Sequence, residues 1–169
     1  MMPIKAMSLA TVDEADRTLV HALQHDAQMR LEDLGRRVNM VPSSVHERLS
    51  RLTRDGVIRG WTIDIEPSAF GLRVLAFIGV RSSKPCSKLM PFLEPIAAIE
   101  EAHSVAGAFG LMLKVRVAST AALLELIEQL RMIPGVEGTE TSIALKTHVD
   151  RPIALPEIPA TSRARERSR

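Results

Sequence analysis

The chain contains few of the residues that form disulfides, metal clusters and aromatic cores. Among its 169 residues there is one cysteine, Cys86, there is no tyrosine, and aromatic side chains make up 3% of the total. A lone cysteine excludes an intramolecular disulfide and any multi-cysteine metal site, and it fits a reducing, cytoplasmic setting. The core must therefore be built from Leu, Ile, Val, Ala and Met.

Long apolar runs are also missing. No uninterrupted apolar stretch approaches the roughly 20 residues of a membrane span, and the first residues, MMPIKAMSLA, contain no apolar run of signal-peptide length. We therefore expect no membrane association. Hydrophobic residues make up 46% and charged residues 25%, which is a globular composition, and the length allows one ordinary domain or two small ones.

The net charge of +2 is small, but the positive charge is clustered. Residues 36–59 hold six arginines against two acidic residues, and residues 151–169 hold five arginines against two. Such clusters on a nearly neutral chain indicate an anionic partner, of which nucleic acid is the commonest. We expect residues 150–169, rich in Pro, Ser and Arg, to form a flexible basic tail that either adds non-specific DNA affinity or only keeps the chain in solution.

Three short helices are predicted in the N-terminal third of the chain. Asp13 and Asp16 have the spacing of a capping box at the start of the first helix. Asn39 suits the tight turn after the second helix, and Pro42 suits the first position of the third. The turn of about four residues between them is typical of a helix-turn-helix. After Gly56, the stretches VIRG and WTIDI predict a two-stranded wing.

The third helix has one apolar face, formed by Val45, Leu49 and Leu52, and a polar remainder. A small, hydroxylated N-terminus flanked by arginines suits entry into the major groove of DNA. A solvated helix face with no DNA role is the plain alternative. The candidate DNA-binding residues, including one at the tip of the wing, are Ser43, Ser44, His46, Glu47, Arg48, Arg51, Arg54 and Arg59.

The second half of the chain predicts a β-α-β-β-α-β order, which is that of a ferredoxin-like domain with two helices on one face of a four-stranded sheet. Its strongest helix has Leu123, Leu124, Ile127 and Leu130 at helical spacing. The other face of such a sheet is bare, and burying it against a second copy predicts at least a dimer. Glu100 and Glu101 are adjacent in a strand, so we expect them to face opposite ways and not to form a catalytic pair.

Three stretches of this sequence closely resemble the Lrp/AsnC family of feast/famine transcription regulators. They are VDEADRTLVHALQHDAQMRLEDLGRRV, PSSVHERLSRLTRDGVIRGWT and SVAGAFGLMLKVRVAS…IPGVEGTETSIALK, and the likeness covers roughly residues 11–149. The resemblance implies an α+β protein with a winged helix-turn-helix at 11–62, a hinge at 63–72 and a ferredoxin-like effector-binding and oligomerisation domain at 73–149. It also implies an amino-acid or related effector bound between dimers, dimers assembling to an octamer, and binding to double-stranded promoter DNA.

The sequence departs from the family pattern at three positions. Val41 stands where a serine often caps the third helix, and Glu47 stands where a basic residue is frequent. In the effector loop GAFG, Gly110 replaces an acid, so we expect weak or altered ligand selectivity. Two glycines there allow backbone N–H groups to approach a carboxylate. The candidate effector-binding residues, with hydroxyls from neighbouring strands, are Ser104, Ala106, Gly107, Ala108, Phe109, Gly110, Thr139 and Thr141.

An enzyme is the main functional alternative. Siroheme decarboxylases share this two-part layout and bind a tetrapyrrole, with histidines important to the reaction, and His103 precedes the glycine loop. His21 and His25 have the spacing of some metal pairs but no evident third ligand. No nucleophile motif or phosphate-binding loop is present. We therefore expect no catalysis, cofactor or metal, and a ligand-sensing or scaffold protein that does not bind DNA is a third alternative.

Overall fold

A computed structural model describes residues 12–155 of the protein. They divide into two compact units: residues 12–63 with 151–155 form the first, and residues 64–150 form the second. In the first, the main-chain oxygen of Ile153 accepts a hydrogen bond from Gln24 Nε2 at 3.3 Å. Most of the predicted basic tail, residues 156–169, lies outside the described residues. Within residues 12–155, no helix is both long enough and apolar enough to cross a bilayer.

The first unit contains the three predicted helices: α1 (Glu14–His25), α2 (Leu31–Val38) and α3 (Pro42–Arg54). The predicted capping box forms at the start of α1. Asn39 ends α2 with a left-handed φ of 54°, and Gly35 lets the turn approach closely, because a Cβ there would collide with the Met40 carbonyl oxygen. The side chains that share the core of this unit are Leu19, Ala22, Leu23, Leu34 and Val45.

The predicted wing is wrong, because no strand forms between residues 57 and 66. Gly56 has a φ of 74° and turns the chain back onto the end of α3. The N–H groups of Val57 and Ile58 then both donate to the Leu52 carbonyl oxygen, at 2.9 and 3.1 Å. These donors are therefore unavailable for strand pairing with the stretch that follows. Trp61, in that stretch, is exposed.

The second unit has the predicted β-α-β-β-α-β order. Its strands are β1 (Val74–Ser82), β2 (Ile99–Ser104), β3 (Leu111–Val117) and β4 (Val136–Ile143), and its helices are α4 (Met90–Leu93), preceded by a 3-10 turn, and α5 (Thr120–Arg131). All strand pairs are antiparallel, in the order β2-β3-β1-β4. This confirms the ferredoxin-like arrangement, with β2 and β4 at the two edges of the sheet.

One face of this sheet is covered and the other is open. Alternate residues of β3 are buried, as are Ala76, Ile78 and Val80 of β1. From α5 the buried side chains are Leu123, Leu126 and Leu130, whereas Leu124, expected on the apolar face, is 57% exposed. The open face carries Phe77, which is 41% exposed, and the intervening residues of β3.

The expectation that Glu100 and Glu101 face opposite ways is wrong, because the pairing of β2 with β3 shifts register between Ile99 and Glu101. Both carboxylates consequently reach Lys114 Nζ, at 3.5 and 2.9 Å, and Glu100 also pairs with Arg116 at 2.5 Å. The hydrogen bond from Lys114, followed by that with His103, lowers the pKa of Glu101. The two acids therefore belong to an ion-pair row on the open face.

Truncating a buried leucine of α5 is expected to destabilise the second unit far more than truncating an exposed one. Leu130→Ala should lower the free energy of unfolding by about 2–5 kcal/mol, because Leu130 has no exposed surface. Leu124→Ala, in the same helix, should change it by less than about 0.5 kcal/mol. Urea unfolding of the full chain, followed by circular dichroism, measures both variants. Equal losses would contradict the observed burial of α5.

Candidate nucleic-acid interface and effector loop

The side of α3 that faces away from the core carries small, polar and charged groups. At 3.6 residues per turn, Ser43, Ser50 and Arg54 lie within about 40° of the direction opposite Val45, together with Glu47. All four are exposed. We call the exposed residues Ser43, His46, Glu47, Ser50 and Arg54 the solvent stripe of α3. This stripe presents hydroxyl, imidazole, carboxylate and guanidinium groups from one rigid helix.

The start of α3 adds one backbone donor to this stripe, the N–H of Ser43, because the Ser44 N–H already donates to the Val41 carbonyl oxygen at 3.1 Å. Val41 is the N-cap and makes no side-chain capping bond, as expected for an apolar residue, and Pro42 follows at the first helical position. The first turn contains no acidic residue. Ser44 is half-buried beside it. Uncapped N–H groups at a helix start carry a partial positive charge, which suits an anionic partner.

Two of the predicted DNA-binding arginines are held by carboxylates of α1. Arg48 Nη1 donates to Asp16 Oδ1 at 2.9 Å and to Asp13 Oδ2 at 2.5 Å, and Arg51 Nη2 donates to Asp16 Oδ2 at 2.5 Å. Asp16 has no exposed surface. The arginine side chains are 28% and 33% exposed. Asp13, Asp16, Arg48 and Arg51 together form what we call the Asp–Arg cluster.

The cluster shares its atoms with the capping box of α1. The backbone N–H of Asp16 donates to Asp13 Oδ1 at 2.8 Å, and the backbone N–H of Asp13 donates to Asp16 Oδ2 at 3.2 Å. Burial alone would raise the pKa of Asp13, but the N–H of Asp16 and the guanidinium of Arg48 outweigh it and lower that pKa. The hydrogen bonds to Asp13 and Asp16 raise the pKa of Arg48.

The two remaining arginines predicted to contact DNA are more accessible. The Arg54 side chain is 75% exposed and lies 3.7 Å from its neighbour Asp55, a distance at which an exposed ion pair contributes little. Arg59 is exposed in the segment after α3, but it is not at the tip of a wing, because that wing is absent. The structure therefore separates two half-buried, carboxylate-paired arginines from two exposed ones.

The predicted effector loop, residues 105–110, joins β2 to β3 and is fastened to β1. The Phe109 ring lies against Gly79 so closely that a Cβ there would be only 2.6 Å from it. Gly110 N donates to the Val80 carbonyl oxygen at 3.2 Å, and Cys86 Sγ contacts the Gly110 carbonyl oxygen at 3.1 Å. The loop itself is exposed at Ala106, Gly107 and Ala108, with only Phe109 half-buried.

The predicted hydroxyl groups lie at the same end of the sheet as the loop but not beside one another. Ser104 pairs with Leu111, Leu111 with Val80, and Val80 with Thr139, so these residues form one row across all four strands. Three strand spacings separate Ser104 from Thr139, roughly 14 Å. Thr141 lies two residues further along β4. One chain therefore does not bring these hydroxyls into a single pocket.

Several residues at these sites were missed by the sequence reasoning. Ser50 was on the polar side of the helical wheel and belonged among the candidates. Arg131 Nε donates to Thr139 Oγ1 at 3.0 Å, which places a guanidinium beside one of the predicted hydroxyls. The contact between Gly79 and Phe109 and the pairing of Asp16 with two arginines join distant parts of the chain, so no local pattern indicates them.

Three of the histidines contact nearby side chains. His103 Nε2 lies 2.8 Å from Glu101 Oε2 within the ion-pair row. The His21 and His25 rings lie 4.5 Å apart between centroids. Within residues 12–155, no three His, Cys, Asp or Glu side chains are grouped so that they could hold a metal ion.

Comparison with known proteins agrees with this two-part organisation. A family model described as the AsnC-type helix-turn-helix domain matches residues 12–53, and one described as the Lrp/AsnC ligand binding domain matches residues 75–154. The chain is 33% identical over 138 residues to the HTH-type transcriptional regulator FL11 of Pyrococcus horikoshii, covering 81% of this chain and 91% of that protein. It is 30% identical over 145 residues to the regulatory protein AsnC of Escherichia coli, covering 84% and 95%.

A solved structure extends this likeness to three dimensions. It is that of a feast or famine regulatory protein from M. tuberculosis complexed with L-methionine, with a TM-score of 0.80, 33% identity, and coverage of 86% of this chain and 99% of that one. These relatives are named as regulators, and they give no support to a tetrapyrrole enzyme. The chain therefore belongs to the Lrp/AsnC family and is a transcriptional regulator with a DNA-binding helix-turn-helix and a ligand-binding domain.

Proposed function

We propose that this regulator recognises specific promoter DNA through the solvent stripe of α3, with Ser44 and Arg59 beside it. The observation that carries the proposal is the stripe itself, which places hydroxyl and guanidinium groups opposite the buried face of the third helix. Hydroxyls contact phosphates or base edges, and guanidinium groups contact phosphates or guanine. In functional terms we divide the chain into a DNA-binding domain at 11–62, a hinge at 63–72, an effector domain at 73–149 and a basic tail at 150–169.

Arg54→Ala is expected to weaken DNA binding and to reduce its salt dependence. Losing one phosphate contact lowers the slope of log K against log salt by about 0.9. Arg73→Ala, an exposed arginine in the second unit, is the matched control and should leave the slope unchanged. Fluorescence anisotropy with the protein's own upstream region, over a salt series, measures both. If the two variants behave alike, the solvent stripe is not the DNA interface.

We propose that the effector is an amino acid or a related small molecule that contacts the loop 105–110. The proposal is supported by the exposed backbone of the loop, by the φ of 143° at Gly107, and by the methionine bound to the M. tuberculosis relative. Ser104, Thr139 and Thr141 are too widely spaced to meet one small ligand within a chain. We propose that a second dimer completes the pocket by bringing a neighbouring chain's hydroxyls to the loop.

Gly110→Asp is expected to change amino-acid affinity and selectivity, because it restores the acid that the family loop commonly has. The substitution fits without strain, since a Cβ at Gly110 would lie 3.7 Å from Cys86 Sγ, an ordinary contact. Gly110→Ala is the control that adds the Cβ without the charge. Calorimetry on protein whose oligomeric state is known from light scattering measures the affinities. Unaltered affinity in Gly110→Asp would place the pocket elsewhere.

We propose that the chain forms a dimer through the open face of its sheet, and that dimers assemble further, to an octamer. Phe77 is 41% exposed at the centre of that face, and the Glu100–Arg116 and Glu101–Lys114 pairs border it. An apolar centre with a charged border is the composition of a protein interface. We propose that this assembly acts in the cytoplasm, where the chromosome lies. We propose no catalytic activity for it.

Phe77→Arg is expected to weaken dimer formation, because it places a charge in the centre of the proposed interface. Phe92→Arg is the matched control, since Phe92 is 48% exposed but belongs to α4 rather than to the sheet. Sedimentation over a concentration series should show monomers of the first variant at concentrations where the wild type and the control remain assembled. Identical behaviour of both variants would rule out the open face.

A further inference from the structure

We propose that Arg48 and Arg51 are positioning residues. They fix α3, the helix proposed to recognise DNA, on α1 through Asp16 and Asp13, and they do not contact DNA. The inference rests on the proposed function, because it assumes that α3 enters the DNA groove. It assigns a role to Asp16, a carboxylate on another helix. It also predicts that these two arginines affect the preference for specific over random DNA more than they affect the affinity for DNA in general.

The first support is that the carboxylate oxygens of the cluster are all occupied. Asp16 Oδ1 accepts from Arg48, and Asp16 Oδ2 accepts from Arg51 and from the backbone N–H of Asp13. Asp13 Oδ1 accepts from the Asp16 N–H, and Asp13 Oδ2 accepts from Arg48. Moving either guanidinium to a phosphate leaves Asp16, which has no exposed surface, short of a partner. A buried carboxylate without partners is strongly unfavourable.

The second support is geometric. Arg48 and Arg51 are three residues apart, about one helical turn along α3, and both donate to the same carboxylate at the start of α1. Two attachment points one turn apart restrict both the rotation of α3 about its axis and its translation along α1. The solvent stripe adjoins these points on the same helix, because Arg51 lies about 60° around the axis from Arg54 at 3.6 residues per turn. A change at the attachment points therefore alters where Ser43, Ser50 and Arg54 meet the bases.

The third support is electrostatic. Two carboxylates and two guanidinium groups sum to no net charge, so the cluster adds little to the positive field that attracts DNA at a distance. Arg48 and Arg51 are also less exposed than Arg54, at 28% and 33% against 75% of the side chain. The exposed arginine is therefore the better candidate for a phosphate contact.

Asp16→Asn separates the two roles, because they predict changes of opposite sign. If Arg48 and Arg51 contact phosphates, removing the negative charge releases them and should strengthen binding. If they position α3, the same change loosens the helix and should weaken binding to the specific site. We expect at least a tenfold loss of affinity for the protein's own upstream DNA, with affinity for random DNA unchanged within about threefold. Stronger binding to both DNAs would overturn the proposal.

Arg51→Gln tests the same point in a variant that removes the charge but keeps a polar side chain, and circular dichroism measures its folded fraction. If Arg51 positions α3, the variant should show a lower ratio of specific to random affinity, and the salt slope on random DNA should be unchanged. A phosphate contact predicts that the slope falls by about 0.9 on both DNAs, and that result would overturn the proposal. If Arg51 only stabilises the fold, the ratio of specific to random affinity should not change once the folded fraction is corrected by circular dichroism. That result also would overturn the proposal.

Arg54→Ala, measured in parallel, separates failure of this inference from failure of the proposed function. If the wild type does not prefer its own upstream DNA, or if Arg54→Ala leaves its salt slope unchanged, the solvent stripe is not the interface and the proposed function fails. If both behave as proposed and Arg51→Gln lowers the slope on random DNA, only the positioning role fails.

Discussion

The orientation of the third helix depends on a carboxylate that has no contact with solvent. Asp16 lies in the first turn of α1, where the helix start already favours negative charge, and it is satisfied by Arg48 and Arg51 from α3. Removing the partners of a buried carboxylate costs about 3–5 kcal/mol, although the exposed edges of the two arginines reduce that cost here. Val45, Leu49 and Leu52 hold the apolar face of α3 inside the first unit, and these ion pairs add two polar attachments to α1.

In the second unit, the corresponding constraint is a sheet with only one covered face. The antiparallel order β2-β3-β1-β4 brings the end of the loop 105–110 beside β1, and Phe109 then lies over Gly79. Gly79 and Phe77 are two residues apart in β1, so they share the open face. The Phe109 ring and Phe77 therefore lie on the same face of β1. The loop and the open face are thus physically linked through one ring and one glycine.

Local patterns were sufficient to predict the elements whose causes are local. The capping box at Asp13 and the left-handed turn at Asn39 each follow from a few neighbouring residues. The wing failed because the N–H groups of Val57 and Ile58 bond to α3, and Glu100 turned to the side of Glu101 because of a register shift. A helical wheel places Arg48 and Arg51 on the polar side, but it contains no information about a carboxylate more than thirty residues earlier.

The arginine content of the first unit overstates its attraction for DNA. The Asp–Arg cluster neutralises two of its arginines, whereas Arg30 and Arg36, beside Asp33, keep 81% and 77% of their side chains exposed. Counterion release scales with the phosphates that are neutralised, so the two carboxylate-paired arginines of the cluster contribute little to general affinity. The two cluster arginines therefore act on discrimination through the placement of α3 rather than through charge. That dependence explains why a buried acid in α1 matters to a surface formed by another helix.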